Sequence, residues 1–280
     1  QLDASGQSHG LQLQARGAWE AQAWSGVVNQ LDWRLPETGA WQLAAPMRPR
    51  IAQAATAIDT SCWRQDQAEL CLQASAGAGF TDWEGSARLT GLPLNRFEAW
   101  LPPTVSITSE LTAEMSFAQR EDQLVSEGRA GISAGEVSWE GEQAGAPLPL
   151  GPGQVSWALD AQGLNARAEL TLLEQDSLTA RLRLPDFQPV QTDTATQPVQ
   201  AELDVEIEHL EVVELFVTQV RQVEGRLRID ADVNGTLGSP RLQARAELME
   251  ASVVVPEAGI QVTDIGLEVV SAPSGPIRIT

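Results

Sequence analysis

Alternation of apolar and polar residues with a period of two runs along most of this 280-residue chain, and it restricts the possible folds more than any other feature of the sequence. Successive side chains of a β-strand point to opposite faces, so the alternation predicts strands with one apolar and one solvated face. Turn-forming pairs such as Asn234 and Gly235 separate the runs. The clearest runs are residues 227–233, 242–248, 253–255 and 265–269. We therefore predict an all-β chain with an extended antiparallel sheet.

Two segments, residues 94–101 and 210–217, break the alternation and predict short helices. In the first segment Leu94, Phe97 and Leu101 fall on one helical face, and two prolines follow it. The second segment aligns with the first without a gap, and the strands that follow the two segments stay in register.

This alignment predicts an internal repeat and hence a quasi-one-dimensional fold. The approximate units are residues 1–117 and 118–280, which together form one elongated, repeat-built groove. In each unit a short helix caps or plugs a run of strands. A chance similarity of two amphipathic patterns is the alternative.

The predicted strands carry aliphatic and aromatic residues on one face and Arg, Asp, Glu, Gln, Thr and Ser on the other. If such a sheet folds over without closing, its apolar face lines an open trough; if it closes, the same face fills a β-solenoid core. The periodicity supports both alternatives equally. The residues expected to line the trough are Leu111, Met115, Phe117, Val155, Trp157, Leu159, Leu203, Val205, Ile207, Leu227, Ile229, Val233, Leu242, Leu248, Val253, Val255, Ile265, Leu267 and Val269.

The charge of the chain argues against nucleic-acid binding and against attachment to anionic lipid through basic residues. Arg and Lys number 18 against 38 Asp and Glu, the formal net charge is −20, and every basic residue is an arginine. Such a charge repels a phosphate backbone, and no basic cluster offsets it. With 42% hydrophobic residues the chain is nevertheless too apolar to be disordered.

Catalytic motifs are missing from the sequence: it contains no GxSxG, HExxH, Walker or glycine-rich phosphate-loop pattern. His9 and His209 lie on polar flanks and are expected at the surface. We therefore expect neither enzymatic activity nor a cofactor or metal site.

The two cysteines, Cys62 and Cys71, flank a short polar segment and can face each other on the two arms of a hairpin. We predict a disulfide between them, which an oxidising compartment such as the bacterial periplasm allows. Two unrelated buried thiols are the alternative.

Several stretches of the chain resemble the TamB branch of the AsmA-like proteins. Near the C-terminus a strand ends in Gly-Thr, a Pro-x-Leu begins the next strand, and an apolar pair follows. The stretches that carry the resemblance are residues 41–46, the cysteine pair with Trp63, Leu70 and Leu72, residues 92–102, residues 233–256 and residues 259–269.

The resemblance implies an elongated antiparallel β-taco, or open β-solenoid groove, in the periplasm of a diderm bacterium. It implies that phospholipid moves along the apolar groove between the inner and outer membranes. It also implies an inner-membrane anchor and an outer-membrane β-barrel partner related to the barrel-assembly insertase, both engaged through regions outside this chain. Because the chain begins with Gln1 and stops within a predicted strand, we expect it to be a segment of a longer protein.

Two other functions stay open on sequence grounds. A scaffold for the assembly of outer-membrane or autotransported β-proteins would pair its exposed strand edges with a client strand. A glycan-binding β-solenoid would display its nine tryptophans in solvent-exposed rows. Trp33, Trp139 and Trp157 share strand positions with aliphatic residues, which favours an inward position for these three side chains.

Overall fold

A computed structural model describes residues 2–5, 10–35, 39–100, 105–120, 122–139, 147–172, 176–189, 194–210, 219–271 and 278–279. These residues are almost entirely β-strand, which confirms the all-β prediction. The strands are β1 (Leu2–Ser5), β2 (Gly10–Glu20), β3 (Ala23–Leu35), β4 (Gly39–Leu43), β5 (Arg50–Ala52), β6 (Ala55–Gln65), β7 (Ala68–Gly77), β8 (Trp83–Pro93), β9 (Val105–Thr108), β10 (Glu110–Arg120), β11 (Gln123–Ile132), β12 (Gly135–Trp139), β13 (Leu148–Leu150), β14 (Gly153–Asp160), β15 (Gly163–Thr171), β16 (Ser177–Pro185), β17 (Pro198–Ile207), β18 (Arg221–Thr236), β19 (Ser239–Val255), β20 (Ile260–Ser271) and β21 (Arg278–Ile279). Short 3₁₀ segments span Ala78–Phe80, Leu94–Trp100 and Pro256–Ala258.

The chain divides into two compact units, which are described separately. Unit 1 contains residues 1–103, 107–132 and 158–161, and unit 2 contains residues 104–106, 133–157 and 162–280. The repeat boundary expected near residue 117 stays a prediction.

Unit 1 is a ladder of antiparallel neighbours in the order β1, β2, β3, then β4 and β5 together, then β6, β7, β8, β10 and β11. β4 and β5 are two halves of one interrupted strand, because each pairs with β3 on one side and with β6 on the other. In the interruption, Met47 exchanges backbone hydrogen bonds with Val28 at 2.9 and 3.0 Å. Pro46 and Pro49 flank this bridge and have no N–H to donate, which explains why regular pairing stops here.

Unit 2 contains a second antiparallel ladder, in which β15 to β21 pair in chain order. Two local predictions are wrong here. Residues 253–255 are not a separate strand but the end of β19, whose pairing shifts at a bulge near Glu250, where φ is 52°. Asn234 and Gly235 lie within β18, and the chain instead turns at Leu237 and Gly238. A bulge and a glycine at positive φ disrupt alternation without ending a strand.

The helix predicted at residues 94–101 is present as the 3₁₀ segment Leu94–Trp100. Phe97 packs against a cluster whose most buried members are Trp41, Trp63, Ala68 and Leu92, at 1 to 4% exposure. The apolar face of unit 1 is therefore plugged at this end. The helix predicted at residues 210–217 lies, apart from Leu210, outside the described residues.

In unit 2, Leu210 plugs one end of the apolar face, as Phe97 does in unit 1. It is 3% exposed and packs with Val223 and Ala251. The strands on either side of each plug pair with each other: Leu92 faces Leu111 in unit 1, and Ile207 faces Leu227 in unit 2. This shared arrangement is in keeping with the predicted repeat.

Candidate functional site

The apolar face of unit 2 is built from rows of side chains that run across the strands. Because paired residues of neighbouring strands point to the same face, the register determines each row. One row joins six strands: Leu170, Leu178, Val205, Ile229, Ala246 and Val269. The rows beside it are Ile207, Leu227, Leu248 and Leu267, and Ala180, Leu203, Ala231 and Ala244. A fourth consists of Leu182, Ala201, Val233 and Leu242.

Most of these side chains are half-exposed instead of buried. Val205 is 8% exposed, whereas Leu267 and Leu242 are 39% and 48% exposed. Val223 and Ala251 are buried beside the Leu210 plug. Toward the β18–β19 turn, Val199 on β17 is buried at 5% exposure, whereas Leu242 on β19 is open. A filled solenoid core would bury all four rows, so these exposures favour the open face over the filled core.

The register brings the residues of β17 to β20 that were expected to line a trough onto this one face. Val253, Val255 and Ile265 extend it beyond the bulge, where β19 pairs with β20. In unit 1, Leu111, Met115 and Phe117 alternate on β10 and share a face with the plug cluster. On β14, Val155 is 43% exposed, Trp157 half-buried and Leu159 6% exposed.

The opposite face of unit 2 carries cross-strand pairs of charges. Arg228 lies 3.3 Å from Asp230 and 3.6 Å from Glu206, and Arg245 lies 3.0 Å from Glu268. The hydrogen bond and charge of Asp230, together with the charge of Glu206, raise the pKa of Arg228. Because these pairs are exposed to solvent, they contribute little to stability, and the polar face serves mainly for solvation and against lateral association.

A cleft of about 870 Å³ crosses unit 1, but it is not the expected trough. Its lining comes chiefly from small and polar residues of the solvated face, such as Ser75, Ser86, Ser116 and Ala118, together with Phe117 and Leu159 from the residues expected in the trough. The alternation along the sequence did not predict this cleft.

A buried carboxylate, which no pattern in the sequence predicts, lies beside the plug of unit 2. Asp176 is 1% exposed; its Oδ1 accepts a hydrogen bond of 2.6 Å from the Glu208 N–H and lies 3.3 Å from Nδ1 of His209. Its Oδ2 has no hydrogen-bond partner among the described residues. Asp176 therefore holds the backbone that leads into Leu210.

We expect Asp176→Ala to lower the free energy of unfolding of unit 2 by about 1–3 kcal/mol, because it removes the hydrogen bond between the Glu208 N–H and a buried carboxylate. Asp176→Asn keeps an acceptor oxygen and should lose less. Denaturant unfolding followed by circular dichroism compares the two variants. Equal stability of Asp176→Ala and the parent would contradict the role given to this side chain.

A disulfide joins Cys62 on β6 to Cys71 on β7, where the two residues face each other directly and their Cα atoms are 4.0 Å apart. Glu69 lies close enough to both sulfur atoms to complete a metal-ligand group, but the disulfide occupies those sulfurs. The pair therefore acts as a covalent link between two strands.

Replacing both cysteines by alanine should lower the stability of unit 1 by about 2.5–3 kcal/mol on the loop-entropy model. The parent protein treated with a reductant should show the same loss, and the double variant should not respond to the reductant. Urea unfolding followed by tryptophan fluorescence measures both. A parent whose unfolding curve is unchanged by full reduction would show that the link carries no stability.

The described strands form antiparallel sheets that are apolar on one face and charged on the other, which is consistent with an all-β groove fold. The family model described as "TamB, N-terminal domain" matches residues 1–248. The chain therefore belongs to the TamB family. No curated protein and no solved structure gave a significant match. Within the described ranges, no helix has the length and hydropathy needed to cross a bilayer.

Several residues of the apolar faces were not among those that the sequence analysis expected to line the trough. Leu170, Leu178 and Ala246 complete the six-strand row of unit 2, and Ile260 and Val262 extend the face along β20 at 52% and 42% exposure. Each has an apolar neighbour two positions away, so each fits the period-two alternation that predicts an apolar face. Only the pairing register shows that they join rows on other strands.

Proposed function

We propose that this chain is a periplasmic segment of an intermembrane bridge that conducts phospholipid along its apolar faces. The observation that carries the proposal is the set of four apolar rows across β15 to β20, which are continuous over neighbouring strands and largely half-exposed. Exposing an acyl chain to water costs about 0.8 kcal/mol per methylene, so a continuous apolar face lowers the barrier to moving a lipid.

The mechanism requires no reacting group. Acyl chains lie on the rows, and the headgroup stays in solvent. The rows consist of aliphatic residues of similar chemistry. An acyl chain that moves from one row to the next therefore replaces each lost contact by an equivalent one. Transport then needs an unbroken apolar surface without a deep binding minimum.

The experiment is mass spectrometry of lipids that co-purify with the chain, on the parent and on two adjacent variants. Leu242 lies on the apolar face at 48% exposure, so Leu242→Glu should reduce bound phospholipid without unfolding the protein. Gln243 lies on the polar face, and Gln243→Glu is the matched control, which should bind as the parent does. Equal lipid in all three proteins, at a level no higher than that of an unrelated acidic protein, would refute the proposal.

The place of the chain in the envelope is part of the proposal. Family membership supports an envelope protein that works in the periplasm of a diderm bacterium, with an inner-membrane anchor and an outer-membrane β-barrel partner. Both would be engaged through regions outside this chain. Crosslinking of the full-length protein in cells, followed by identification of a barrel protein, tests the partner.

A second candidate function is a scaffold for β-protein assembly, and the edge of β20 favours it. Among the described residues, β21 pairs only with Val269 and Val270, so residues 260–268 of β20 have a neighbour on one side only. Such an edge can accept an added strand. Adjacent residues of a strand point their N–H groups in opposite directions, so proline at Gln261 or at Val262 removes an outward N–H. Loss of client assembly with either proline, and none with Leu242→Glu, would favour the scaffold.

A further inference from the structure

One row of side chains crosses the apolar face of unit 1 at the end opposite the Trp63 cluster, next to the turns at residues 21–22 and 53–54. We call it the tryptophan row. The register places its members side by side on consecutive strands from β2 to β11: Trp19, Trp24, Ile51, Thr56, Ala76, Trp83, Gln119 and Leu124.

Glycines beside this row give its aromatic rings room to lie against the sheet. A Cβ atom added to Gly17 or to Gly26 would collide with the indole of Trp24. A Cβ atom at Gly85 would lie 2.6 Å from a ring carbon of Phe117, whose ring centre is 5.6 Å from that of Trp83. The rings of Trp24 and Phe117 therefore lie over glycine backbone and cover it with apolar surface.

The tryptophan row is open to solvent. Trp19 is 60% and Ile51 40% exposed, and Phe80, in the turn between β7 and β8, is 64% exposed. Trp41 and Trp63, at the plugged end of the same face, are each 4% exposed. Unit 1 thus has one closed and one open end.

We infer that the tryptophan row is an acyl-chain subsite, at which phospholipid enters or leaves the apolar face of unit 1. This inference rests on the proposed function and adds to it the place of exchange. From Trp24 to Trp83 the row crosses four strand spacings of about 4.8 Å, or roughly 19 Å. One leaflet of a bilayer's hydrocarbon core is about 15 Å thick, so the row has room for one extended acyl chain.

The polarity of the row favours an acyl chain over a sugar. Tryptophans that stack on sugars need hydrogen-bonding side chains around them, because every unpaired hydroxyl of the ligand costs free energy. Trp24 instead lies beside Trp19, Ile51 and glycines, and of the eight members of the row only Thr56 and Gln119, the latter next to Trp83, are polar. Indole is also suited to the boundary between hydrocarbon and water, where one edge is wet and the other apolar.

The test uses the 280-residue chain and vesicles of phosphatidylglycerol and phosphatidylethanolamine with brominated acyl chains, since bromine quenches a tryptophan that it contacts. Protein is incubated with the vesicles, the vesicles are removed by centrifugation, and tryptophan fluorescence and retained lipid are measured. Trp24→Phe combined with Trp83→Phe should remove at least half of the quenched signal. Trp41→Phe is the matched control at the closed end and should leave the quenched signal unchanged.

A second pair of variants tests entry itself. Ile51→Arg places a charge on the tryptophan row, and we expect it to lower lipid uptake at least fivefold. Ser25→Arg places the same charge on the polar face of the neighbouring strand and should leave uptake as in the parent. Equal uptake by both variants would overturn the inference.

The outcomes separate this inference from the function on which it rests. Quenching that survives Trp24→Phe with Trp83→Phe but is lost in Trp157→Phe would overturn the inference and leave lipid binding by unit 2 intact. Absence of both retained lipid and quenching in the parent would refute the proposed function as well. Protection of the row by a soluble oligosaccharide, without lipid uptake, would assign it to a glycan and also overturn the inference.

Discussion

Ile229→Arg is expected to reduce phospholipid transfer about a hundredfold while the protein stays folded. Ile229 lies in the middle of the six-strand row, between Val205 and Ala246. Placing an arginine in hydrocarbon costs about 2.5–3.5 kcal/mol on insertion scales, and each 1.4 kcal/mol is a factor of ten. An acyl chain that must pass this position therefore meets a barrier of that size. Because Ile229 is half-exposed, the guanidinium can reach solvent in the absence of lipid, and the fold survives.

Transfer of a labelled phospholipid between donor and acceptor vesicles measures this effect, with circular dichroism as the check of folding. Leu227→Asp, on the neighbouring row, should behave in the same way. Gln243→Arg adds the same charge to the polar face and should transfer lipid as the parent does. Parent-like transfer by a folded Ile229→Arg protein would show that lipid does not travel along these rows.

Trp63→Ala should be the most destabilising single change in unit 1, at about 3–5 kcal/mol, which is the range for removing a buried large aromatic side chain. Trp63 is 4% exposed, its ring lies 4.9 Å from that of Trp33, and its Nε1–H donates a hydrogen bond of 2.8 Å to the Leu31 carbonyl. Alanine would leave a cavity in the plug cluster and an unpaired carbonyl beside it.

Urea unfolding followed by far-UV circular dichroism measures the loss in Trp63→Ala. Trp63→Phe retains part of the packing and should lose less, whereas Trp19→Ala, at 60% exposure, should stay within about 0.5 kcal/mol of the parent. If Trp63→Ala and Trp19→Ala were equally stable, the plug cluster would not be the core of unit 1.

These predictions depend on the two ends of each apolar face having different roles. In unit 1, Phe97 and Leu92 close one end, and the tryptophan row leaves the other open. In unit 2, Leu210 closes one end, and at the other Leu242 is exposed while Val199 is buried. The buried clusters supply the core of each unit, and the exposed stretches are the parts of the apolar faces that the lipid predictions concern.

The sequence predicted much of this arrangement because a β-strand has a simple period. Alternation along residues 227–233 and 242–248 indicates strands and which residues share a face, since neighbouring side chains point to opposite sides. The 3₁₀ segment at Leu94–Trp100 was likewise foreseen, because its residues break the period and prolines end it. The pairing of Cys62 with Cys71 was also predicted, because a hairpin places the two residues across from each other on neighbouring strands.

The sequence did not predict where alternation continues through an irregularity. The bulge at Glu250 and the positive φ of Gly235, at 111°, keep β19 and β18 whole where turn residues suggested breaks. Both depend on pairing with a neighbouring strand, which holds the backbone in a conformation that local propensity disfavours.

By itself, then, the sequence determined the fold class and the partition of each strand into an apolar and a charged face, because both follow from the order of residues along one strand. The tertiary structure alone decided which residues of different strands stand side by side. It thereby also decided where the faces are plugged, where they are open, and that Asp176 is buried beside Leu210. The physical reason is that register is a relation between strands: a shift of one residue would turn every row of one strand to the opposite face, and only the packing of all strands together selects the register that the chain adopts.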